Sequence, residues 1–168
     1  MARDGIWSNE PKFTFYTPGI PELKGKVLGI IGMGDIGTAV ARVGQAFGME
    51  IITYTRSPEK IQDHTIRFVH LEDLASNSDI VSLHLPLTQD THQLINQEFL
   101  SRMKNDAILI NTARGGLIDE QALFEVLTVK GIKGAGLDVL SQEPPPVDHP
   151  LLSLPNCITT SHMAWATL

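Results

Sequence analysis

Three side chains of this chain carry chemistry suited to a carbonyl or hydroxyl group, and each sits in or just after an apolar run: Arg114, Glu143 and His162. His162 follows Cys157-Ile158-Thr159-Thr160, which places it at the C-terminal edge of a predicted strand, where open α/β sheets collect their ligands. An imidazole titrates near neutrality and can exchange a proton with an alcohol or carbonyl oxygen. Glu143 is the candidate carboxylate to stabilise the imidazolium. Arg114, between Ala113 and Gly115-Gly116, can hold a carboxylate through two parallel hydrogen bonds. Taken alone, Glu143 and Arg114 read as surface loop residues. They gain meaning from what precedes them.

Upstream lies the run Gly32-Met33-Gly34-Asp35-Ile36-Gly37. Val27-Leu28-Gly29-Ile30-Ile31 reads as a buried strand before it, Ile36 to Phe47 as a helix that opens on it, and Glu50 to Tyr54 as a second strand. The glycines therefore sit inside a βαβ unit, the setting in which such a fingerprint binds a dinucleotide. Gly32 permits the tight turn, Gly34 lets backbone approach a pyrophosphate, and Gly37 lets the helix pack near the strand. Asp35 and Ile36 belong to the first helical turn, whose free N–H groups and positive dipole end face the anion. At the end of the second strand, Tyr54-Thr55-Arg56-Ser57 lacks the carboxylate that would accept a ribose 2′-hydroxyl. Arg56 can pair with a 2′-phosphate, and Thr55 and Ser57 add hydroxyl donors. This reading favours NADP over NAD, or the use of both.

These side chains need a scaffold, and the remaining apolar runs supply one. Further strands are predicted at Ile66 to Val69, Ile80 to Leu85, Ala107 to Asn111, Ala135 to Val139 and Cys157 to Thr160. Helices are predicted near Leu71 to Ser76, Gln97 to Met103 and Glu120 to Leu127, the last with Asp119 as N-cap. The expected fold is α/β: a Rossmann-type, doubly wound parallel sheet in a three-layer αβα sandwich. Residues 1–25, with Pro11, Pro18-Gly19 and Pro21, read as an extended N-terminal arm, and residues 26–168 as the NAD(P)-binding domain. Glu143-Pro144-Pro145-Pro146 is a rigid loop.

Composition narrows the partners. A chain of 168 residues with 42% hydrophobic content fits one compact domain. A formal charge of -6 with dispersed Lys and Arg offers no basic stripe, so neither nucleic acid nor an anionic membrane surface is an expected partner. No His/Cys cluster has ligand spacing, and no metal is expected. Cys157 is the single cysteine, in keeping with a reducing compartment, and reads as a small buried residue. No apolar run approaches the roughly 20 residues that span a bilayer, and Met1 is followed by Ala-Arg-Asp-Gly, so a cytoplasmic protein is expected.

Several motifs together carry a resemblance. They are Leu23-Lys24-Gly25-Lys26 before the first strand, His84-Leu85-Pro86-Leu87-Thr88, Ile110-Asn111-Thr112-Ala113-Arg114-Gly115-Gly116, and Gly136-Leu137-Asp138-Val139 leading to Glu143-Pro144. Pro155-Asn156-Cys157-Ile158-Thr159 and His162-Met163-Ala164-Trp165-Ala166-Thr167 complete the set. From about Glu22 to Thr167 the chain resembles the nucleotide-binding domain of the D-2-hydroxyacid dehydrogenase family, and most closely its glycerate dehydrogenase, or hydroxypyruvate reductase, branch. The resemblance implies that Arg114 binds the substrate carboxylate and polarises its keto group, that Glu143 holds and tunes the imidazole, and that His162 is the acid/base. It implies that Asp138 bonds the nicotinamide carboxamide, the alternative being a strand-end aspartate that caps a turn, and that Thr91 touches the pyrophosphate. His84, Pro86, Thr112 and Ala113 join Arg114 and His162 on the cofactor side.

The reaction so implied is reversible hydride transfer between NAD(P)H and C2 of a small 2-keto acid such as hydroxypyruvate or glyoxylate. The alternatives are an isolated cofactor-binding module with little or no activity, and a cofactor-sensing interaction protein. Two departures stand out. Ser161 occupies the position where family members often carry proline before the histidine. The family's substrate domain, of roughly a hundred residues, is also absent from a chain of this length. The family dimerises through this domain, so a homodimer is expected, with the arm before Leu23 and its Trp7, Phe13, Phe15 and Tyr16 packing on a second subunit.

Overall fold

The computed structural model of the chain describes residues 5–9, 11, 13, 21–60 and 63–166. Phe15, Tyr16 and Thr167 lie outside the described residues, as does the Trp7 side chain. Among the described residues seven strands form one sheet: β1 (Val27–Ile31), β2 (Glu50–Tyr54), β3 (Arg67–Phe68), β4 (Ile80–Leu83), β5 (Ile108–Asn111), β6 (Gly134–Leu137) and β7 (Cys157–Thr159). Their order is β3-β2-β1-β4-β5-β6-β7, and every neighbouring pair is parallel. The chain winds outward from β1 in one direction and from β4 in the other, which makes the β1/β4 boundary the switch point, where a crevice opens above the strand ends. Among the described residues no helix is long and apolar enough to cross a membrane.

Alternation along the strands divides the core in two. Leu28 and Ile30 of β1 join Ile51 of β2, Ala41, Met49 and Ile66 beneath α1 (Asp35–Ala46). Ile31 and Ile52 point to the opposite face. There the larger cluster includes Leu74 of α2 (Leu71–Asn77), Leu100 of α3 (Gln97–Arg102), and Leu123 and Leu127 of α4 (Glu120–Thr128). Helices thus cover both faces, and the central strands are apolar almost throughout.

Local chemistry sets the helix starts. Asp119 caps α4, its Oδ1 accepting from the Gln121 and Ala122 N–H groups at 3.1 Å each. Asn96 does the same for α3, accepting from Phe99 N–H at 3.0 Å. Small residues bring α1 onto the sheet: a Cβ on Gly37 would stand 2.0 Å from the Gly32 carbonyl oxygen. Gly32 itself has φ +99, a conformation that L side chains resist.

Several predicted strands overran their observed ends. The sheet loses β4 after Leu83, yet His84 N–H still reaches the Ile31 carbonyl at 2.8 Å. Asp138 N–H likewise bonds Asn111 O at 2.9 Å beyond β6, and Thr160 N–H bonds Leu137 O at 2.9 Å beyond β7. These residues keep one ladder bond while their side chains turn to the sheet's edge, so apolar patterning alone counted them as strand. The run Ile66 to Val69 contracts to β3, whose two residues are exposed and pair only with β2. An edge strand with one neighbour has little to extend it.

Candidate functional site

All the candidate residues follow the C-terminal ends of parallel strands. Gly32 follows β1 directly, and its N–H donates to the Tyr54 carbonyl at 2.9 Å, which ties the turn to the end of β2. Gly34 precedes α1, which has no side-chain cap, and Asp35 and Ile36 occupy its exposed first turn. A cavity of about 290 Å³ opens there, lined by Gly32, Gly34, Thr55, Arg56, Ser57, His84, Pro86 and Thr91 among others. A Cβ on Gly34 would meet nothing within 4 Å. Protein packing thus does not require that glycine, and the space above it fits a ligand lying against the helix N-terminus.

Two residues of this cavity are themselves held. His84 Nε2 lies 2.8 Å from Ser82 Oγ, and burial pushes the pKa of its imidazole below the usual range. Thr91 is buried, its hydroxyl donating to Pro86 O at 2.7 Å and accepting from Thr88 N–H at 2.8 Å. The Thr91 hydroxyl therefore closes the loop on which it sits.

A second cleft, of about 520 Å³, opens beyond β6 and β7 between Asp138, Leu140, Glu143, Pro144, Leu152 and the segment from Thr159 to Met163. Here His162 Nδ1 lies 2.7 Å from Glu143 Oε2. The bond to His162, aided by Leu140 N–H on Oε1 at 3.0 Å, holds the Glu143 carboxyl below the usual carboxylate range despite burial. His162 has φ 53, in the left-handed region, at a cost of about 1 kcal/mol or more for a side chain of this kind. Its backbone is pinned on both sides: the N–H donates to Asp138 O at 2.8 Å, and Trp165 Nε1 donates to its carbonyl at 2.8 Å.

Asp138 has a role in this loop that sequence reasoning left only as an alternative. Its carboxylate is buried and accepts from Thr160 Oγ1, from Met163 N–H at 3.0 Å and from Ala164 N–H at 2.8 Å. Burial pushes this carboxyl up, and these three bonds outweigh it and hold the group below the usual range. The strand-end aspartate thereby caps the turn that presents His162.

The loop after β5 stands apart. Thr112 and Arg114 are exposed, and neither they nor Ala113 line either cleft. Arg114 Nη1 donates to the Ala113 carbonyl at 2.6 Å, so its guanidinium folds back on its own loop. Asn111, fully buried, sets that loop: Oδ1 accepts from Ala113 N–H and Nδ2 donates to Arg114 O, each at 2.9 Å. Asn111 was read in the sequence as the last residue of an apolar run and as part of a motif, with no role of its own, and a buried amide there is the signal that the following loop needs a fixed shape. The structure brings Glu143 and His162 together and leaves Arg114 on a separately anchored loop beside them.

The family described as "D-isomer specific 2-hydroxyacid dehydrogenase, NAD binding domain" matches residues 1–164. The chain is 40% identical over 168 residues to a hydroxypyruvate reductase of Blautia hydrogenotrophica, covering 99% of this chain and 52% of that protein. It is 42% identical to a glycerate dehydrogenase of Methylorubrum extorquens, with the same coverage of 99% and 52%. Among solved structures, an acyclic imino acid reductase in complex with NADPH and D-Arg superposes with a TM-score of 0.84 at 40% identity, covering 99% of this chain and 52% of that one. The chain thus spans about half the length of the curated relatives it matches. A seven-stranded parallel sheet with a glycine turn at its switch point, matched across residues 1–164, shows that the chain belongs to the D-isomer specific 2-hydroxyacid dehydrogenase family, as its NAD-binding domain.

Proposed function

We propose that the protein containing this domain transfers a hydride between a nicotinamide cofactor and C2 of a small D-2-hydroxy acid or 2-keto acid of the glycerate, hydroxypyruvate or glyoxylate type. The observation that carries this reading is the Glu143–His162 pair at 2.7 Å on the wall of an open cleft at the sheet's C-terminal edge. Glu143 occupies Nδ1, which leaves Nε2 to exchange a proton with the substrate oxygen. With Nδ1 held by Glu143 the ring keeps one orientation, so Nε2 can donate during reduction and accept during oxidation. Arg114, swung from its own loop, would pair with the substrate carboxylate through two hydrogen bonds. A bound nicotinamide would supply or take the hydride. Gly32, Gly34, Gly37 and the first turn of α1 would hold its pyrophosphate, and Arg56, Thr55 and Ser57 its ribose end, with preference for NADP. Asp138 would meet the carboxamide with whatever acceptor capacity its loop bonds leave.

The substrate domain belongs, on this reading, to the half of the relatives that the chain does not span. That ratio also supports a second reading, a cofactor-binding module that turns over slowly by itself. The same proposal makes the assembly a homodimer through the arm before Leu23, and the compartment the cytoplasm, in keeping with a lone, half-buried Cys157. The test is NAD(P)H oxidation with hydroxypyruvate, measured for the 168-residue chain and for the longer protein. In the longer protein His162→Ala should lower turnover by on the order of 10²-fold or more, with cofactor affinity nearly kept. Turnover that survives this change rejects His162 as the acid/base.

A further inference from the structure

Glu120 opens α4, but the helix does not need its carboxylate, because Asp119 already caps the free N–H groups. The side chain is instead 17% exposed and turned towards the loop after β6. Oε1 accepts from Ser141 N–H at 2.7 Å, Oε2 accepts from the Ser141 hydroxyl at 2.6 Å, and His149 Nε2 lies 3.4 Å from Oε2. His149 is nearly buried, and its Nδ1 has no hydrogen-bond partner among the described residues. Glu120 is therefore the partner that the ring retains, joining the far end of the loop to the same carboxylate.

The clamp holds the Leu140–Ser141 peptide, and Leu140 carries on its other side the N–H that meets the site. Leu140 N–H donates to Glu143 Oε1 at 3.0 Å, and Glu143 Oε2 faces His162 Nδ1. From the other side the Arg114 loop presses on the same peptide, since a Cβ on Gly115 would stand 1.9 Å from the Leu140 carbonyl carbon. We propose that Glu120 is a positioning residue for the Glu143–His162 pair: by accepting from both the N–H and the hydroxyl of Ser141, it fixes the Leu140–Ser141 peptide and through it Leu140, whose own N–H, one peptide earlier, bonds Glu143. A carboxylate set by that bond has one oxygen left over for the imidazole. The charged groups that act on Glu143 are His162 and Asp138, and Glu120 reaches it only through backbone. This inference rests on the catalytic reading of Glu143 and His162 given above.

The experiment follows the Glu143 side-chain carboxyl by carbon NMR through an acid titration of the 168-residue chain. Glu120→Ala should move its midpoint up towards the ordinary carboxylate value, because the bonds from His162 and Leu140 that lower it are loosened together. Glu120→Gln keeps an acceptor for Ser141 N–H and can donate to the Ser141 oxygen, so its midpoint should stay near that of the wild type. In the longer protein Glu120→Ala should lower kcat by roughly 10-fold, within the 10²-fold that a displacement of about 1 Å can cost, with KM for the cofactor unchanged. If Glu120→Ala does not fold, Ser141→Ala, which deletes one exposed hydroxyl, should give a smaller upward shift. An unmoved Glu143 midpoint in the folded variant overturns the proposal while leaving the catalytic reading intact. A wild-type longer protein without activity on any small 2-keto acid overturns the catalytic reading, whatever the titration shows.

Discussion

Gly34 and Arg56 divide the cofactor question between two residues of one cavity. Gly34 has φ -76 and ψ -164, which any residue adopts, and a Cβ there meets no protein atom within 4 Å. Gly34→Val should therefore fold with a stability within about 0.5 kcal/mol of the wild type. Its methyl groups would nevertheless occupy the space before the α1 N-terminus, and losing one or two charge-assisted N–H bonds to phosphate should weaken NAD(P) binding by about 10- to 10²-fold. Calorimetry on the folded variant checks this, and an unchanged affinity removes the pyrophosphate contact. Arg56→Ala should weaken NADP more than NAD in the same assay. Equal losses, or a wild type strongly selective for NAD, would reject the 2′-phosphate assignment.

Among the elements, the junction of α2, β1 and β4 depends on Asp79, far along the strands from the site. Its Oδ2 accepts from Val27 N–H at 2.8 Å at the start of β1, Oδ1 takes Lys104 Nζ at 3.1 Å, and Lys26 Nζ lies at 3.9 Å. Burial pushes this carboxyl up, but the Val27 and Lys104 bonds and the two lysine charges prevail and hold it below the usual range. A folded-state pKa below the unfolded one means that the ionised form stabilises the fold. That contribution is present above the ordinary carboxylate range, near pH 4, and is lost as pH falls through the lowered folded value. Asp79→Asn should cost about 1 to 2 kcal/mol at neutral pH. The gap in urea midpoint between the two proteins should narrow as pH drops below about 4, and a gap that stays constant would show that Asp79 acts through shape and not charge.

For the whole molecule, assembly would have to cover the apolar side chains that face solvent. Ile36, Val43 and Phe47 of the α1 region are 68%, 57% and 60% exposed, and Phe13 of the arm is 92% exposed. Apolar area of this kind is costly to leave in water when contiguous. A homodimer that uses the arm should appear by light scattering as twice the 18.4 kDa chain mass. A monomer at high protein concentration would reject this assembly.

Much of the positioning scaffold was readable from the chain alone because it rests on local periodicity. The apolar strands, the glycine turn, and Asp119 as the cap of α4 are all short-range signals, and the sheet's parallel, doubly wound character follows from strands that alternate with helices. Glu143 could be named from its chemistry as a candidate partner of His162, but only resemblance singled it out, since nothing local brings together residues on different strand ends. What the tertiary structure decided are the contacts made across the sheet's edge: Asp138 closing the His162 turn with three hydrogen bonds, Asn111 shaping the Arg114 loop, and Glu120 reaching Ser141. Each is a polar side chain whose sequence neighbours are ordinary. Its partner is chosen by which strands lie side by side, and that order is a property of the folded sheet and not of any window along the chain.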